Sequence, residues 1–327
     1  MSGRPHGDSS HGNAIDCIIC GTCVADILVR PVPLSQPVGA GRLLHVDPIE
    51  VTTGGIVCNT GTAMRRLGMR VAASSLVGDD LWGTVVRTRL AADGIDTQAL
   101  EPHATLATST TAVLIDPSGE RSFAHHVGAP QAIDLAFIRR QAAHFGNSRL
   151  ALVGYCGLLP ALEPVLAEAL ATIKATGCRV AVETGGSGGS LAHLAPALPY
   201  VDIYVPSLDE AVHQTGLSDP KEIIGCYRRH GAAGIVGVKL GTRGTLLSPA
   251  AGELIEIPCV PAPGPVLDTT GAGDSLLAGM LTGILRGMPL REAVLLGAAT
   301  AACCVTGLGA TAGLRSFDET LRLCEGL

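Results

Sequence analysis

The chain has 327 residues, of which 47% are hydrophobic and 16% are charged, a balance typical of a folded protein and not of a disordered one. Its formal net charge is -6 at pH 7, so the chain has no basic surplus for binding nucleic acid. None of its three lysines follows a glycine, which excludes the GxxxxGK[ST] phosphate loop.

Targeting signals are absent from the sequence pattern. No apolar run reaches about 18 residues without a charge, so we expect no membrane span and no membrane partner. The first 13 residues are polar, and we expect a disordered tail there and not a signal peptide. Eleven cysteines without an export signal predict reduced thiols and a cytoplasmic protein. Residues 14–327 are then predicted to form one domain.

The first part of the chain mixes long elements with short extended stretches. The run at 15–23 predicts a buried strand, 54–67 a helix, 71–77 a strand and 81–92 a helix. Residues 24–53 hold four prolines and short extended stretches such as 42–46, which favours strands or loops outside the main sheet. Residues 105–115 and 121–127 flank an Asp-Pro-Ser-Gly turn and predict a hairpin. The segments near 24–53 and 105–127 together predict a small β lid.

After residue 133, strands and helices alternate. Strands are predicted at 150–153, 179–182, 203–205 and 234–238, helices at 161–176 and 208–215, a short hairpin at 245–247 and 254–257, and closing helices at 273–286, 290–305 and 317–324. This alternation predicts an α/β fold with a doubly wound, mostly parallel sheet flanked by helices. Ligands of such sheets lie beyond the carboxyl ends of the strands.

The sharpest motif is Asp268-Thr269-Thr270-Gly271-Ala272-Gly273-Asp274, directly before a helix. Small residues at 271–273 allow backbone N–H groups to converge on an anion at the helix N-terminus. Asp274 in the first turn could accept the proton of an attacking hydroxyl. The plainer alternative is an ordinary helix cap with glycines in the turn.

Further polar residues follow other predicted strands. Gly54, Gly55 and Asn59 open the first long helix, where glycines allow close ligand approach and Asn59 can bond sugar hydroxyls; Gly-Gly turns before helices also occur for the turn alone. Asp26 follows the first strand and could accept a polyol hydroxyl, or cap its own loop. Glu210 could orient Mg²⁺ through water or complement a helix dipole, and local reasoning favours the dipole.

Two other features were weighed. Gly241-Thr242-Arg243-Gly244 follows a strand that ends at Lys239, and could lie along nucleotide phosphates or form a plain hairpin turn. Cys17, Cys20 and Cys23 have a metal-like spacing, but on one buried strand their alternating directions would split them between faces. We therefore interpret these cysteines as core residues.

These pieces, in this order, resemble the ribokinase-like sugar kinases, also called the PfkB carbohydrate kinase family, from about residue 15 to 320. Two motifs carry the resemblance: Gly54-Gly55-(x)3-Asn59 and the segment from Asp268 to Asp274. The resemblance implies a ribokinase-like fold, ATP and Mg²⁺ as cofactors, a small sugar as substrate, and a homodimer formed through the lid.

The resemblance also implies a role for each matched position. Asp274 would be the general base, and Gly271, Ala272 and Gly273 the anion hole. Asp26, Gly54, Gly55 and Asn59 would hold sugar hydroxyls, and Glu210 would act on Mg²⁺ through water. Asp268 and Thr270 would help to hold a monovalent cation such as K⁺. The residues implied for nucleotide binding are Lys239, Gly241, Thr242 and Gly244, with Ala302 and Gly309 in the stretch 298–310 that lines the adenine.

The chain departs from the family pattern at three places. Ser207 replaces the Asn of an Asn-x-x-Glu motif, Pro130 replaces an Asn in Gly-Ala-Asn, and the loop from Glu183 lacks a common Asp. The predicted function is ATP-dependent phosphorylation of a primary hydroxyl of a small sugar or sugar acid. Two alternatives stay open: a nucleoside kinase of the same fold, and a non-catalytic sugar or nucleotide sensor. Arg121, His125 or His126 on the hairpin could reach the substrate, although solvated hairpin residues are the simpler interpretation.

Overall fold

The computed structural model describes residues 15–35, 39 and 41–326. The predicted tail at residues 1–13 lies outside the described residues. Within them, the strands form two sheets, and helices cover both faces of the larger one. None of the described helices is long and apolar enough to cross a bilayer.

The larger sheet confirms the predicted parallel architecture. Numbered in chain order, its strands are β1 (Ile15–Gly21), β4 (Val71–Gly78), β5 (Leu100–His103), β8 (Ser148–Gly154), β9 (Arg179–Glu183), β10 (Ile203–Tyr204), β11 (Ile235–Lys239), β12 (Thr245–Ser248) and β13 (Ile255–Ile257). Their spatial order is β13-β12-β11-β10-β9-β8-β1-β4-β5. β1 pairs in parallel with β4 and β8, whereas β12 is antiparallel to both β11 and β13. The carboxyl ends of β1, β8, β9 and β11 therefore meet at one edge.

The smaller sheet is built from the two segments that we predicted to leave the main sheet. Its strands are β2 (Val24–Val29), β3 (Glu50–Gly54), β6 (Thr110–Ile115) and β7 (Arg121–His126), in the order β3-β2-β6-β7. Residues 42–46, for which we expected a strand or a loop, form a loop without regular secondary structure. β2 already pairs with β3 on one side and β6 on the other, so it offers this stretch no free edge.

The helices follow the predicted alternation, with additions. They are α1 (Gly55–Arg66), α2 (Leu81–Ala92), α3 (Leu135–Arg140), α4 (Ala142–Gly146), α5 (Leu166–Ala175), α6 (Leu191–Leu194), α7 (Leu208–Thr215), α8 (Pro220–Arg229), α9 (Ala272–Leu285), α10 (Leu290–Cys304) and α11 (Phe317–Arg322). We did not predict α3, α4, α6, α8 or β5. The signal for α8 was present, since Asp219 caps it and Pro220 occupies its first turn.

Two predicted boundaries need correction. The strand expected at 15–23 ends at Gly21, because the chain leaves the main sheet at Thr22 to enter the smaller sheet at Val24. The helix expected at 161–176 begins at Leu166, after a short 3₁₀ turn that contains Pro164. Proline has no N–H to donate and its ring clashes with the preceding turn. A regular helix that began at residue 161 could therefore not continue through Pro164.

The core lies on both faces of the larger sheet. One cluster packs α1, α9 and α10 against β1 and β4, and the other packs α3, α5 and α8 against β8 and β9. Cys17 and Cys23 belong to the first cluster and Cys20 to the second. The three cysteines are thus divided between the faces, as the strand alternation predicted.

Candidate active site

A cavity of about 640 Å³ lies between the carboxyl edge of the larger sheet and the smaller sheet. Several predicted site residues line it together: Asp26, Gly54, Gly55, Asn59, Thr270 and Gly309. Tyr155, the first residue after β8, also lines it. Strand topology thus brings together residues that are more than 200 positions apart.

Asp274 lies in the first turn of α9, is buried, and is hydrogen-bonded to two residues that line the cavity, Asn59 and Tyr155. Asn59 Nδ2 donates to Asp274 Oδ2 at 2.8 Å, and the Tyr155 hydroxyl lies 2.9 Å from both carboxylate oxygens. Burial raises the pKa of Asp274, while the bonds from Asn59 and Tyr155 and the charge of Lys239 oppose that rise. The carboxylate is therefore oriented by two donors and retains the basicity that proton transfer requires.

Two buried polar side-chain atoms of the cavity lining have no partner among the described residues. They are Asn59 Oδ1 and Thr22 Oγ1, and both residues line the cavity. An unpaired buried polar atom costs free energy unless a ligand or water satisfies it. These atoms suit a ligand rich in hydroxyl groups.

Asp26 projects from β2 into the same cavity and lies against Gly54. A Cβ atom on Gly54 would collide with Asp26 Oδ2, so glycine is required for the carboxylate to occupy this position. Burial, partly offset by the Thr111 hydroxyl, raises the pKa of Asp26 to about 6. At neutral pH, Asp26 is a partly desolvated acceptor that faces the ligand space.

The turn before α9 has the form of an anion site. Gly271 has φ of 76°, in the left-handed region, and packs against Ala310. The Ala272 amide donates to Thr269 O at 3.2 Å, within the turn. A Cβ built on Gly273 would lie 3.6 Å from Lys239 Nζ, so an ammonium group stands beside the helix N-terminus. A helix N-terminus with an adjacent cation favours a bound anion.

Asp274 belongs to a buried charge cluster, whose other members are Glu183, Glu210 and Lys239. Lys239 Nζ contacts both oxygens of Glu183 at 3.0 Å, and both side chains are buried. Burial and the neighbouring carboxylates raise the pKa of Glu183 to about 7, although Lys239 opposes the rise. The three carboxylates outweigh burial and raise the pKa of Lys239, so this ammonium stays charged.

Glu210 takes part in a capping box at the start of α7. Ser207 N donates to Glu210 Oε2 at 2.6 Å, and Glu210 N donates to Ser207 Oγ at 3.3 Å. Ser207, which departs from the family pattern, therefore works as an effective helix cap. The carboxylate is nevertheless coupled electrostatically to Asp274 and Lys239 across the cluster.

Asp268 and Thr270 are engaged by an arginine of the smaller sheet. Arg121 forms an ion pair with Asp268, and its Nη1 donates to Thr270 Oγ1 at 2.8 Å. The amides of Thr270 and Gly309 also donate to Asp268, at 3.0 and 2.5 Å. These donors outweigh burial and hold the pKa of Asp268 below its usual value. A guanidinium thus stands where we expected a monovalent cation, and the Gly309 amide donates to Asp268.

The predicted nucleotide turn lies outside the cavity described above. Gly241–Arg243 forms a 3₁₀ turn closed by the Gly244 amide, which donates to Gly241 O at 3.0 Å. Thr242 is exposed, whereas Ala302 is buried in α10. Lys239 links this turn to α9, since it ends β11 and lies beside Gly273. Among the described residues, no group of three or more His, Cys, Asp or Glu side chains could by itself hold a metal ion.

The sequence of the whole region matches one family. A model described as "pfkB family carbohydrate kinase" matches residues 19–316. The chain belongs to the pfkB family. It is an ATP-dependent carbohydrate kinase.

Known proteins similar to this pfkB kinase differ in their sugar. It is 28% identical to the ribokinase of Haemophilus influenzae over 321 residues, which cover 94% of this chain and 97% of that one. It is 29% identical to the fructokinase of Klebsiella pneumoniae over 322 residues, which cover 93% and 97%. The similarity to both sugar kinases is nearly equal, so identity alone does not select a substrate.

The fold of this pfkB kinase matches a solved complex. Ribokinase of Arabidopsis thaliana, determined with ribose and ATP, superimposes with a TM-score of 0.80 at 21% identity. The match covers 96% of this chain and all of that one. At this identity the likeness shows the ribokinase fold, which confirms the predicted fold class.

Sequence reasoning about this pfkB kinase missed three contributors to its site. Tyr155 had no motif, and only its place directly after a predicted strand could have singled it out. Glu183 was noted as a departure from the family pattern, but its partner Lys239 was assigned to the nucleotide. Arg121 was considered a possible substrate contact, whereas the structure pairs it with Asp268.

Proposed function

We propose that this kinase transfers the γ-phosphoryl group of ATP to a primary hydroxyl of a small sugar or sugar acid. The observation that carries the proposal is the buried Asp274 carboxylate, oriented by Asn59 and Tyr155, two residues that line a hydroxyl-accepting cavity. A base held next to unpaired acceptors suits an alcohol that is bound and deprotonated in one place.

Substrate orientation is assigned to residues on both sides of the cavity. Asp26 and the free acceptor of Asn59 would take sugar hydroxyls, while Gly54 and Gly55 give the sugar room beside the backbone. Asp274 would then accept the proton of the hydroxyl that attacks phosphorus. The smaller sheet would act as a lid that excludes water, which limits the wasteful hydrolysis of ATP.

Charge that develops on the transferred group is assigned to the start of α9. The amides of Gly271 and Gly273 would face it, with the Ala272 amide already partly engaged by Thr269. Lys239 stands beside Gly273 and supports the same negative charge. ATP with Mg²⁺ supplies the phosphoryl group and neutralises part of its charge. The residues that remain proposed nucleotide contacts are Lys239, Gly241, Thr242, Gly244, Ala302 and Gly309. Glu210 remains a proposed ligand of the Mg²⁺ hydration shell.

The test is sugar-dependent release of ADP from ATP and Mg²⁺ across a panel. The panel holds ribose, fructose, 2-keto-3-deoxygluconate, tagatose 6-phosphate, inositol and several nucleosides. Turnover with a free sugar or sugar acid supports the proposal. Binding of ATP without turnover for any acceptor would favour the sensor alternative.

The base assignment is tested by Asp274→Asn. We expect kcat to fall about 10²- to 10⁴-fold, because the amide cannot accept the proton. Asp209→Asn is the matched control, since Asp209 is exposed on the first turn of α7 and should leave kcat within twofold. Retention of more than a third of wild-type kcat in Asp274→Asn would exclude Asp274 as the base.

A second candidate, a nucleoside kinase, is favoured by two neighbouring rows of side chains on the smaller sheet. The row nearest to the proposed base Asp274 is polar and consists of three register neighbours on β2, β6 and β7: Asp26, Thr111 and His125. The next row along the same strands is apolar and consists of Leu28, Val113 and Phe123. A polar row followed by an apolar row suits a sugar that carries an apolar or planar substituent. Turnover of nucleosides but not of free sugars in the same panel would select this candidate.

A further inference from the structure

Tyr155 has an unusual backbone. It is the single non-glycine residue with positive φ in the described part of the chain, at φ 56° and ψ 36°. A bulky L-residue rarely adopts this conformation, and it persists where the surroundings hold it in place. Such residues concentrate at sites where a side chain must point in a direction that a relaxed backbone would not give.

This conformation directs the Tyr155 ring to Asp274. The ring packs against the core and beside Gly185, and the hydroxyl lies 2.9 Å from both oxygens of the carboxylate. Tyr155 also lines the cavity in which the sugar is proposed to bind. The strained Tyr155 is therefore hydrogen-bonded to Asp274, the group on which the proposed proton transfer depends.

The other groups that act on Asp274 come from five elements, one of which is α10 with the buried thiol of Cys304. Asn59 on α1 donates to it, and Lys239 at the end of β11 attracts it. Glu210 on α7 repels it, as does Glu183 at the end of β9. Lys239 is bonded directly to Glu183, so the donors that touch Asp274 itself are two neutral groups, Asn59 and Tyr155.

Tyr155 can act in this place only as a donor. Burial raises the pKa of its phenol, and the adjacent Asp274 charge raises that pKa further. The phenol therefore keeps its proton throughout the pH range in which this carbohydrate kinase folds and works. It cannot serve as a second base, but it can hold a carboxylate by a charge-assisted hydrogen bond.

We propose that Tyr155 is a positioning residue for phosphoryl transfer, whose hydroxyl fixes the Asp274 carboxylate toward the sugar and keeps it ionised. This proposal rests on the proposed function of Asp274. The left-handed backbone is the device that allows a residue at the end of β8 to reach the first turn of α9.

The test is the pH profile of kcat in Tyr155→Phe, which keeps the ring and loses the hydroxyl. We expect kcat to fall about tenfold and the acidic limb to move about one unit to higher pH, because the carboxylate loses a donor. The KM for ATP should stay within twofold. Tyr227→Phe is the matched control, since this buried tyrosine donates to Gln214 at 2.6 Å, outside the site, and should leave the limb unmoved.

A fall in kcat with an unmoved limb would show a purely structural role and would overturn the proposal, as would an unchanged kcat. Should Tyr155→Phe fold poorly, Tyr155→Gly tolerates the left-handed backbone and is expected to move the limb in the same direction. Carboxyl NMR titration of Asp274 in wild type and Tyr155→Phe separates this proposal from the proposed function. A silent wild type across the substrate panel rejects the function, whereas an unchanged Asp274 titration rejects the role of Tyr155.

Discussion

The two sides of the cavity differ in how their charges are held. On the side of the larger sheet, Glu183, Glu210, Lys239 and Asp274 are buried and engage one another. On the smaller sheet, β7 is largely exposed, and its Arg121 crosses to Asp268 as an ion pair. The buried side has an arrangement that desolvation makes expensive to disturb, whereas the exposed side chains of β7 can change with little loss, apart from the Arg121–Asp268 pair, whose side chains are only 17% and 6% exposed.

Because of this difference, we expect the two sides of the cavity to have different roles. The buried charge cluster contains the proposed base and lies at the ends of strands packed on both faces, so it is the rigid part. The smaller sheet contributes Asp26 and the apolar row, which line the cavity from half-exposed strands. Changes in the cluster should therefore alter folding and chemistry together, and changes in the smaller sheet should alter substrate binding.

The largest expected effect is on stability, in Lys239→Met. Removal of this ammonium leaves Glu183 buried without its partner and three carboxylates close together. Breaking one side of a buried ion pair costs about 3–5 kcal/mol, so the free energy of unfolding should fall by that amount. Denaturant titration measures it.

Two comparisons sharpen this result. Lys174→Met removes a lysine whose Nζ lies 2.8 Å from Asp202 with both side chains partly exposed, and it should cost about 1 kcal/mol or less. The double variant Glu183→Leu with Lys239→Met removes both charges and should recover part of the loss. Equal losses in Lys174→Met and Lys239→Met would contradict the contrast between the two environments.

The intermediate effect is on sugar binding through Asp26. Its pKa of about 6 means that the carboxylate is ionised above that pH and protonated below it. As pH falls through 6, the acceptor is lost and the KM for sugar should rise about tenfold per unit. Asp26→Asn should show a KM raised about 10- to 100-fold at neutral pH, with little dependence on pH in this range. Steady-state kinetics measures both.

We expect kcat also to fall at low pH, but for a different reason. It depends on the ionisation of the proposed base, Asp274, whose pKa is raised. The Asp26 prediction therefore concerns the KM for sugar, and kcat is followed separately. A KM for sugar that stays flat between pH 5 and 8 in wild type would remove Asp26 from the binding site.

The contrast also explains what could be predicted from sequence. Asp274, Asn59 and the Gly54-Gly55 pair lie in local motifs whose spacing fixes a helix start, so their place in the site could be inferred. The pairing of Glu183 with Lys239 depends on the order of β9, β10 and β11 in space, which local spacing does not contain. Tyr155 depends on a backbone conformation that no residue preference predicts for tyrosine. The sequence left residues 42–46 open between a strand and a loop, because an extended stretch becomes a strand only where a partner strand offers a free edge.

The smallest expected effect is on the contact between the two sides, in Arg121→Gln. Arg121 is 17% exposed at its side chain, and the loop it touches also receives backbone donors at Asp268. Loss of the guanidinium should therefore raise the KM for sugar only about three- to fivefold and leave kcat within twofold. Arg140→Gln removes an exposed pair with Glu101 outside the cavity and should change neither value beyond twofold.

The same variant tests whether Asp268 and Thr270 hold K⁺. In wild type, the Arg121 guanidinium and a monovalent cation compete for one carboxylate, so added K⁺ should stimulate turnover weakly. In Arg121→Gln the carboxylate keeps its backbone donors but loses its charged partner, and K⁺ should stimulate turnover more strongly than in wild type. If K⁺ leaves both proteins unchanged while choline chloride controls for ionic strength, Asp268 serves to dock the smaller sheet and not to bind a cation. A kcat loss above tenfold in Arg121→Gln would instead place Arg121 with the buried side of the cavity.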